Sequence, residues 1–557
     1  MSYKGFTQIK NSIPSRSNFD LSHEVKLSTE FGRLTPILCQ EVLPSDRWIG
    51  KTELFVRLAP MLAPIMHQVN VYTHFFYVPN RIVWDNWNNF IEGKTVSGDI
   101  KGDDFYQPPF LSIPVRNGSS SSPESQKYLK PGQLADYMGV PIYDENIFKG
   151  TSPSGIEVNA LPFRAYQLIW NEYYRDENLQ DEIDIKSGVD GSQVAQGDFL
   201  EHLKIRHRAW EKDYFTSALP WPQKGPDVNI PLDGETKLTI DGTQNDISSY
   251  SMVYTTDGKP VEANLAENLQ VNNRGVLMVN NKTVRLVTSP VTAQTTGVTN
   301  ATINSLRWAT KLQEFLEKDA RGGTRETEIL YSHFGVKADD LRLNRPQYLG
   351  GGKTNVVISE VLQQSSSTQD SNLGEMGGHG VTVGVTHKFH HSFKEHGWII
   401  GILSIMPRSS YQQGLHRQFT RKSRYDYAWP EFAHLGEQNI LSQELFYNYD
   451  LPTQNLTDFG YAPRYSEYKF INSSVHGDMA TNLDFWHLGR KFTKTPNLNE
   501  DFITCKATDN NEVVDNQYVG LNRIFAVTQM PTDHFWIQVY NRITVKRPLP
   551  YYGTPLL

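Results

Sequence analysis

Hydrophobic positions along the chain follow two periods. Over residues 67–78, Val69, Val71, Phe75 and Tyr77 occupy one face of an extended chain and Gln68, Asn70 and His74 the other. This alternation predicts a half-buried strand, closed by Pro79. It recurs near the far end, where Phe535, Ile537, Val539, Ile543 and Val545 interleave with Trp536, Gln538, Tyr540, Arg542 and Thr544. Between them, Trp398 to Ile405 is apolar without alternation and stops before Pro407. Its length predicts a strand buried on both faces.

Helical spacing takes over in two stretches. In LPFRAYQLIWNEYYRDENLQ, the residues Phe163, Tyr166, Ile169, Trp170, Tyr173 and Tyr174 share a face. NSLRWATKLQEFLEKDARGG offers Ser305 as a cap, an apolar stripe through Leu312, Phe315 and Leu316, and a stop at Gly322 and Gly323. These helices connect strands that are far apart in sequence. The pattern therefore predicts a mainly β architecture, one β-sandwich or jelly roll with large insertions.

Residues 224–304 stand apart, with no Trp or His, a high content of Thr, Asn, Gly and Val, and turn signals at Asp241-Gly242, Asp257-Gly258 and Asn280-Asn281. The last pair sits inside VLMVNNKTVRLV, a hairpin pattern. This segment reads as one β-rich insertion, either a decorative surface loop or a functional protrusion. The expected division is a basic arm over 1–20, first strands with helical insertions over 21–223, the insertion over 224–304, and a helical connector with the remaining strands over 305–557.

Length alone suggests three or four domains at roughly 150 residues each. The 12% aromatic content, 40 Gly and 30 Pro of this 557-residue chain instead favour short strands and long structured loops on one framework. Lys and Arg total 54 against 61 Asp and Glu, a net charge of −7, which excludes coating nucleic acid by overall charge. Any basic surface must be local. Cys39 and Cys505 are too few for a disulfide framework, which fits folding in a reducing cytosol. No apolar run approaches the roughly 20 residues that cross a bilayer. The start MSYKGF lacks a signal h-region and a glycine at position 2, so a soluble chain not exported by a signal peptide is expected.

Local basic surface has two sources. The first twenty residues carry Lys4, Lys10 and Arg16 with no acid before Asp20, an extended arm that is either a solvated chain end or a basic arm tracking phosphate or a neighbouring subunit. Basic and aromatic residues also interleave over Arg206–Phe215 and His416–Phe432. In the second stretch, Arg417, Arg421, Lys422 and Arg424 beside Tyr425, Tyr427 and Trp429 combine phosphate-gripping cations with stacking faces, as single-strand binding surfaces do. The same residue types are enriched at protein interfaces, and a self-assembling protein can use them for both.

Other fragments only imitate chemistry. GGGKT at 350–354 resembles the end of a phosphate-binding loop, but the required leading glycine falls on Gln347 and RPQYL before it reads as a turn. His379, His387, His390, His391 and His396 have no carboxylate or cysteine at a metal-ligand spacing and read as surface or interface histidines. There is no GxSxG, no GxGxxG after a strand and no recognisable carboxylate pair, so no catalytic residue, metal or cofactor is expected.

Long strings in order identify a resemblance. LPSDRWIGKTELFVRLAPMLAPIMHQVNVYTHFFYVPNRIVWDNW, ALPFRAYQLIWNEYYRDENLQ, DYFTSALPWPQKG, ARGGTRETEILYSHFGV, RPQYLGGG, EHGWIIG, YQQGLHRQFTRKSRYDYAWPEFAHLGEQ and RPLPYYGTPLL run almost from end to end. Through them the chain resembles the major capsid proteins of the microviruses, small single-stranded DNA bacteriophages, most closely those of the gokushovirus type. Only 224–304 departs from the family pattern.

The resemblance implies a viral jelly roll, an eight-stranded antiparallel β-barrel with long loops, assembling as sixty copies into a T=1 shell around circular single-stranded DNA. It places the insertion at the threefold axes as a host-attachment protrusion, with Asp241, Gly242, Asp257, Gly258, Asn280 and Asn281 as receptor-facing turns. It further implies a small basic DNA-binding protein, an internal scaffolding protein, a pilot protein and a host cell-surface receptor as partners, with assembly in the host bacterial cytoplasm. Sixty subunits at −7 each cannot neutralise DNA by bulk charge. Lys4, Lys10, Arg16, Arg417, Arg421, Lys422 and Arg424 are accordingly expected to line the lumen. Without the family, the residues leave open a carbohydrate-active β-sandwich enzyme or a phage receptor-binding protein that closes no shell.

Overall fold

The alternating runs become the strands of two antiparallel sheets. A computed structural model describes residues 15–98, 103–115, 127–144, 155–226, 303–362, 376–386, 388–507, 518–526 and 532–552, with residue 228 and short strand segments at 253–255, 269–271, 277–279, 282–286 and 513–514. Lys4, Lys10, Asp241, Gly242, Asp257, Gly258, Asn280, Asn281 and His387 lie outside the described residues. The chain divides into two compact units, 1–224 with 317–557, and 225–316.

In the larger unit the strands are β1 (Ser17–Asp20), β2 (His23–Thr29), β3 (Thr35–Val42), β4 (Arg47–Leu58), β5 (Val69–Pro79), β6 (Gln347–Asn355), β7 (Val357–Leu362), β8 (Met376–Val385), β9 (Phe389–Ser392), β10 (Gly397–Pro407) and β11 (Phe535–Arg547). One sheet runs β11, β4, β8, β7, with β1 and β2 following one another along the free side of β11, and β9 extending β8 along β4. The other runs β6, β5, β10, β3. The inward residues of β4 and β11, Trp48, Leu54, Val56, Phe535, Ile537, Val539, Ile543 and Val545, meet Val69, Val71, Phe75, Tyr77, Ile399, Leu403 and Ile405 in one core. The alternation expected for 535–545 is thus the sandwich interface itself. Its one inward polar position, Asn541, is fully buried, accepts from Thr52 Oγ1 at 2.8 Å and donates to the Ile37 carbonyl at 3.0 Å, tying the first sheet to β3.

β10 is buried on both faces, as its unbroken apolar run predicts. β5 differs from its expected half-burial: Asn70, Phe76 and Val78 are buried as well. The reason lies in α1 (Leu161–Ile169), which lays Phe163, Tyr166 and Ile169 over Phe76, Val78, Ile400 and Ile402 in a second core. Burial of each such side chain contributes about 1.5–3 kcal/mol. The helix continues as a π-helical turn, Trp170–Tyr174. Arg164 is buried within this second core, donates to the carbonyls of Val83 and Val189 at 3.3 and 3.2 Å, and has its pKa pushed down to about 10 by burial.

Three local expectations change. RPQYL is not a turn ahead of GGGKT, because Gln347–Asn355 is one strand paired with β5, with a bulge between Tyr348 and Gly350. An extended edge strand sends alternate N–H groups to its neighbour and the others outward in single file, so successive N–H groups do not converge on one phosphate as in a phosphate-binding loop. Ser305 lies inside α2 (Ile303–Gly322), two residues past its start, while the expected stop holds, with Gly323 at φ 88°. Ser17–Asp20, the end of the expected arm, is a strand paired with Arg547–Thr544. In the smaller unit, strand 277–279 pairs antiparallel with 282–286, as the hairpin pattern predicts, within the order 269–271, 277–279, 282–286, 253–255.

Gly32 sits at φ 73° and donates to the Ile405 carbonyl at 2.9 Å, and a Cβ there would fall on the Cys505 carbonyl. Gly32→Ala is therefore expected to cost at least ~2 kcal/mol, checked by denaturant unfolding. His202 is fully buried and held neutral, its pKa pushed from 6.5 to about 4 by burial and then by Arg164. The unfolded chain takes up that proton first, so the stability His202 supports is present above pH 6.5 and falls as pH drops from 6.5 toward 4. His202→Gln is expected to flatten stability against pH in that window, read from unfolding curves across it.

Candidate nucleic-acid interface

The long connection from β10 to β11 folds around a core of its own. Tyr411, Ile440, Leu445, Phe459, Phe492 and Phe502 pack together, joined by Tyr214 and Phe215 from the aromatic segment 213–225. Asp213 anchors that segment: its carboxylate accepts the Phe215 and Thr216 backbone N–H groups at 2.9 and 2.8 Å, Ser409 Oγ at 2.5 Å and Tyr411 Oη at 2.7 Å. A buried carboxylate with this many donors is satisfied without a counter-cation.

On this platform lie two carboxylates that sequence reasoning did not single out. Glu444 and Glu467 expose only 4% and 5% of their side chains. Glu444 accepts from Tyr214 Oη at 2.9 Å, the Leu441 N–H at 3.0 Å and Arg417 Nη1 at 3.3 Å. Glu467 accepts from Gln438 Nε2 at 2.6 Å and faces Arg421 Nη2 at 3.5 Å and Arg417 Nε at 3.9 Å. Burial pushes the Glu444 carboxyl up while Arg417 pulls it down, and burial prevails. Cavities of about 430 and 540 Å³ flank the cluster, both lined by Arg417, Phe419 and Glu467. The pairing joins glutamates 27–50 residues away from their arginines, a distance at which no sequence motif links them.

The four basic positions expected here therefore divide. Arg417 and Arg421 are spoken for inside the platform, and the Arg421 guanidinium also lies 4.4 Å from the Tyr468 ring. Lys422 and Arg424 face solvent with Tyr425, Tyr427 and Trp429. Arg424 stacks on Tyr425 at 5.1 Å, and Trp429 Nε1 donates to its carbonyl at 2.8 Å, so the loop is braced. Asp426 caps its start by accepting the Lys422 and Ser423 N–H groups. Arg16 lies elsewhere, donating to Ser45 Oγ beside β4. Of the histidines, His390 and His391 lie on β9 against Ile49 and Trp48, and His396 packs on Trp87. Among the described residues no three His, Cys, Asp or Glu side chains converge as metal ligands.

In the other basic stretch, Arg206 pairs with Glu201 at 3.0 Å and lies 5.3 Å from the Trp170 ring, bracing the second core. Arg208 stacks on Tyr72 at 4.1 Å and donates to Ser404 Oγ at 3.1 Å.

Two antiparallel sheets closed over one core, with connections long enough to build further cores, define a mainly β protein of the jelly-roll class. The comparisons then place it. A family model described as "Capsid protein (F protein)" matches residues 7–557. The chain is 34% identical to "Capsid protein VP1" of Bdellovibrio phage phiMH2K and 34% identical to that of Chlamydia phage 1, each across 99% of this chain and 97% of the relative. It is 26% identical to "Capsid protein VP1" of Spiroplasma virus 4 over the same shares. The chain belongs to this capsid protein family, that of the gokushovirus-type microviruses, and as a capsid protein it is part of the virion and assembles with its own copies into a shell. Among the described residues no helix is long and apolar enough to cross a membrane.

Removing one partner of a buried ion pair strands the other charge. Arg417→Ala is expected to destabilise the platform by about 3–5 kcal/mol. Lys422→Ala and Arg424→Ala, both exposed, should stay within about 0.5 kcal/mol of wild type. Denaturant unfolding of the three variants checks the split.

Proposed function

We propose that the chain is a non-catalytic shell subunit, sixty copies of which form a T=1 icosahedral capsid enclosing circular single-stranded DNA. The observation that carries the reading is the end-to-end match to capsid proteins over residues 7–557. The DNA side of it is supported by the braced loop that presents Lys422 and Arg424 with three exposed aromatic rings, joined by Arg16 and by Lys4 and Lys10 from the arm. In this reading Arg417 and Arg421 shape the loop and add positive potential beneath it. Residues 224–304 form the threefold protrusion that meets the host receptor. A net charge of −7 per subunit leaves much of the DNA neutralisation to a small basic protein, with scaffolding and pilot proteins completing assembly in the host cytoplasm.

Sizing separates this reading from its rivals. Expressed with its phage partners, the chain should sediment as uniform shells, whereas a 63.6 kDa species or a trimer would overturn the proposal. In shells, the double substitution Lys422→Ala with Arg424→Ala should leave assembly intact. It should weaken DNA retention as salt rises, lowering the salt slope by about one to two phosphate contacts per subunit. Unchanged retention would remove the loop from the DNA. A short linker in place of 224–304 should preserve shells and abolish adsorption, and undiminished adsorption would refute the attachment role.

A further inference from the structure

A cleft of about 500 Å³ opens at the β5–β6 side of the second sheet, beside the π-helical turn. Its volume falls in the range of small-molecule and cofactor sites. Phe76, Tyr174, Tyr348 and Trp210 supply aromatic walls, with Arg208 and Lys212 beside them. The Tyr348 ring lies 5.5 Å from Phe76 and remains about half exposed. π-helical turns occur frequently at functional sites.

The polar groups of the cleft are arranged, not idle. Tyr174 Oη bonds His74 Nδ1 at 2.7 Å, and burial with the nearby Arg208 pushes the His74 pKa down to about 4, so the ring is neutral. Burial likewise pushes the Tyr174 and Tyr348 phenols up. Glu211, the acid lining the cleft, is taken by the Tyr72 hydroxyl and by Lys353 at 3.4 Å. Lys212 pairs with Asp176 at 2.5 Å, yet its side chain is more than half exposed. Trp210 is 3% exposed and closes the floor of the cleft where it meets the sandwich core.

Flat rings next to fixed cations recognise a planar heterocycle that carries an anion. We propose that this cleft seats one unpaired base of a DNA strand, stacked against Tyr348, with the adjoining phosphate held by Arg208 and Lys212. The site is separate from the 416–432 loop and rests on the reading that the shell encloses single-stranded DNA.

The test uses the full chain with an oligodeoxythymidylate of about ten nucleotides, within the site sizes of single-strand binders. Binding is read by protein fluorescence and by ultraviolet crosslinking with peptide mapping, the latter also on DNA-filled particles. Tyr348→Ala is expected to weaken binding roughly tenfold or more, the scale of losing one stacked base, while Tyr348→Phe preserves it. Crosslinks should fall within 170–174, 208–212 and 348. Should Tyr348→Ala fail to fold, Lys212→Ala serves instead and should lower the salt slope by about one. Crosslinks confined to 416–432 with Tyr348→Ala unchanged would overturn the cleft and leave the DNA-enclosing function standing. Absence of any protein–DNA crosslink in filled particles would sink both. Protection of the cleft on assembly of empty shells would assign it to a neighbouring copy and overturn base binding.

Discussion

Everything in the larger unit depends on one pairing: β11, the last long strand, lies between β4 and the first strands of the chain. Phe535 pairs with Leu58 and Lys546 with Arg47, while β1 and β2 close the other side. Arg547 ends the strand on fully buried Asp46 at 2.8 Å, and the same carboxylate receives Trp48 Nε1 and the Leu43 N–H. The sandwich core cannot close until residues nearly 500 positions apart have met. Such non-local pairing makes folding slow, because loop-closure entropy is spent before the contacts that reward it exist. In return, the chain between the ends is free to grow. The β10–β11 connection builds its own core and carries the basic loop without disturbing the ladder beneath it.

How much of this is legible in the sequence depends on how local the cause is. The inward register of β11 and the two-sided burial of β10 follow from period alone, because each strand's own residues record which faces are dry. β5 departs from half-burial because its second face carries His74, a polar residue that looks solvated until Tyr174 of the π turn bonds it and α1 covers Phe76 and Val78 on the same face. RPQYL reads as a turn because proline and glycine signal turns, whereas in the structure they border a bulged strand. In both cases tertiary context outweighs the local signal.

The candidate interface shows the same limit more sharply. Basic and aromatic residues of 416–432 are visible as a pattern, but pattern cannot tell Arg421, 90% buried and facing Glu467, from Lys422 one residue on, which is exposed. That distinction requires Glu444 and Glu467, placed by β-strands and short helices well downstream. Two buried carboxylates among two arginines are weak evidence for stability, since desolvation offsets much of their attraction. What the cluster contributes is position: with its charges mutually satisfied, it fixes where the loop emerges and which cations remain outside.

Net charge has to be read in the same way. Arg33 with Asp533, Arg547 with Asp46, Arg321 with Glu437 and Arg417 with Glu444 cancel within the fold. Charges neutralised at contact contribute little to the field that a strand of DNA or another protein meets, while exposed cations a Debye length from the nearest acid contribute fully. A subunit with a net charge of −7 can therefore present locally basic, aromatic ground wherever a loop carries more cations than its platform has acids to hold. The segment from Lys422 to Trp429 meets that condition, carrying Lys422 and Arg424 against Asp426 as its one acid.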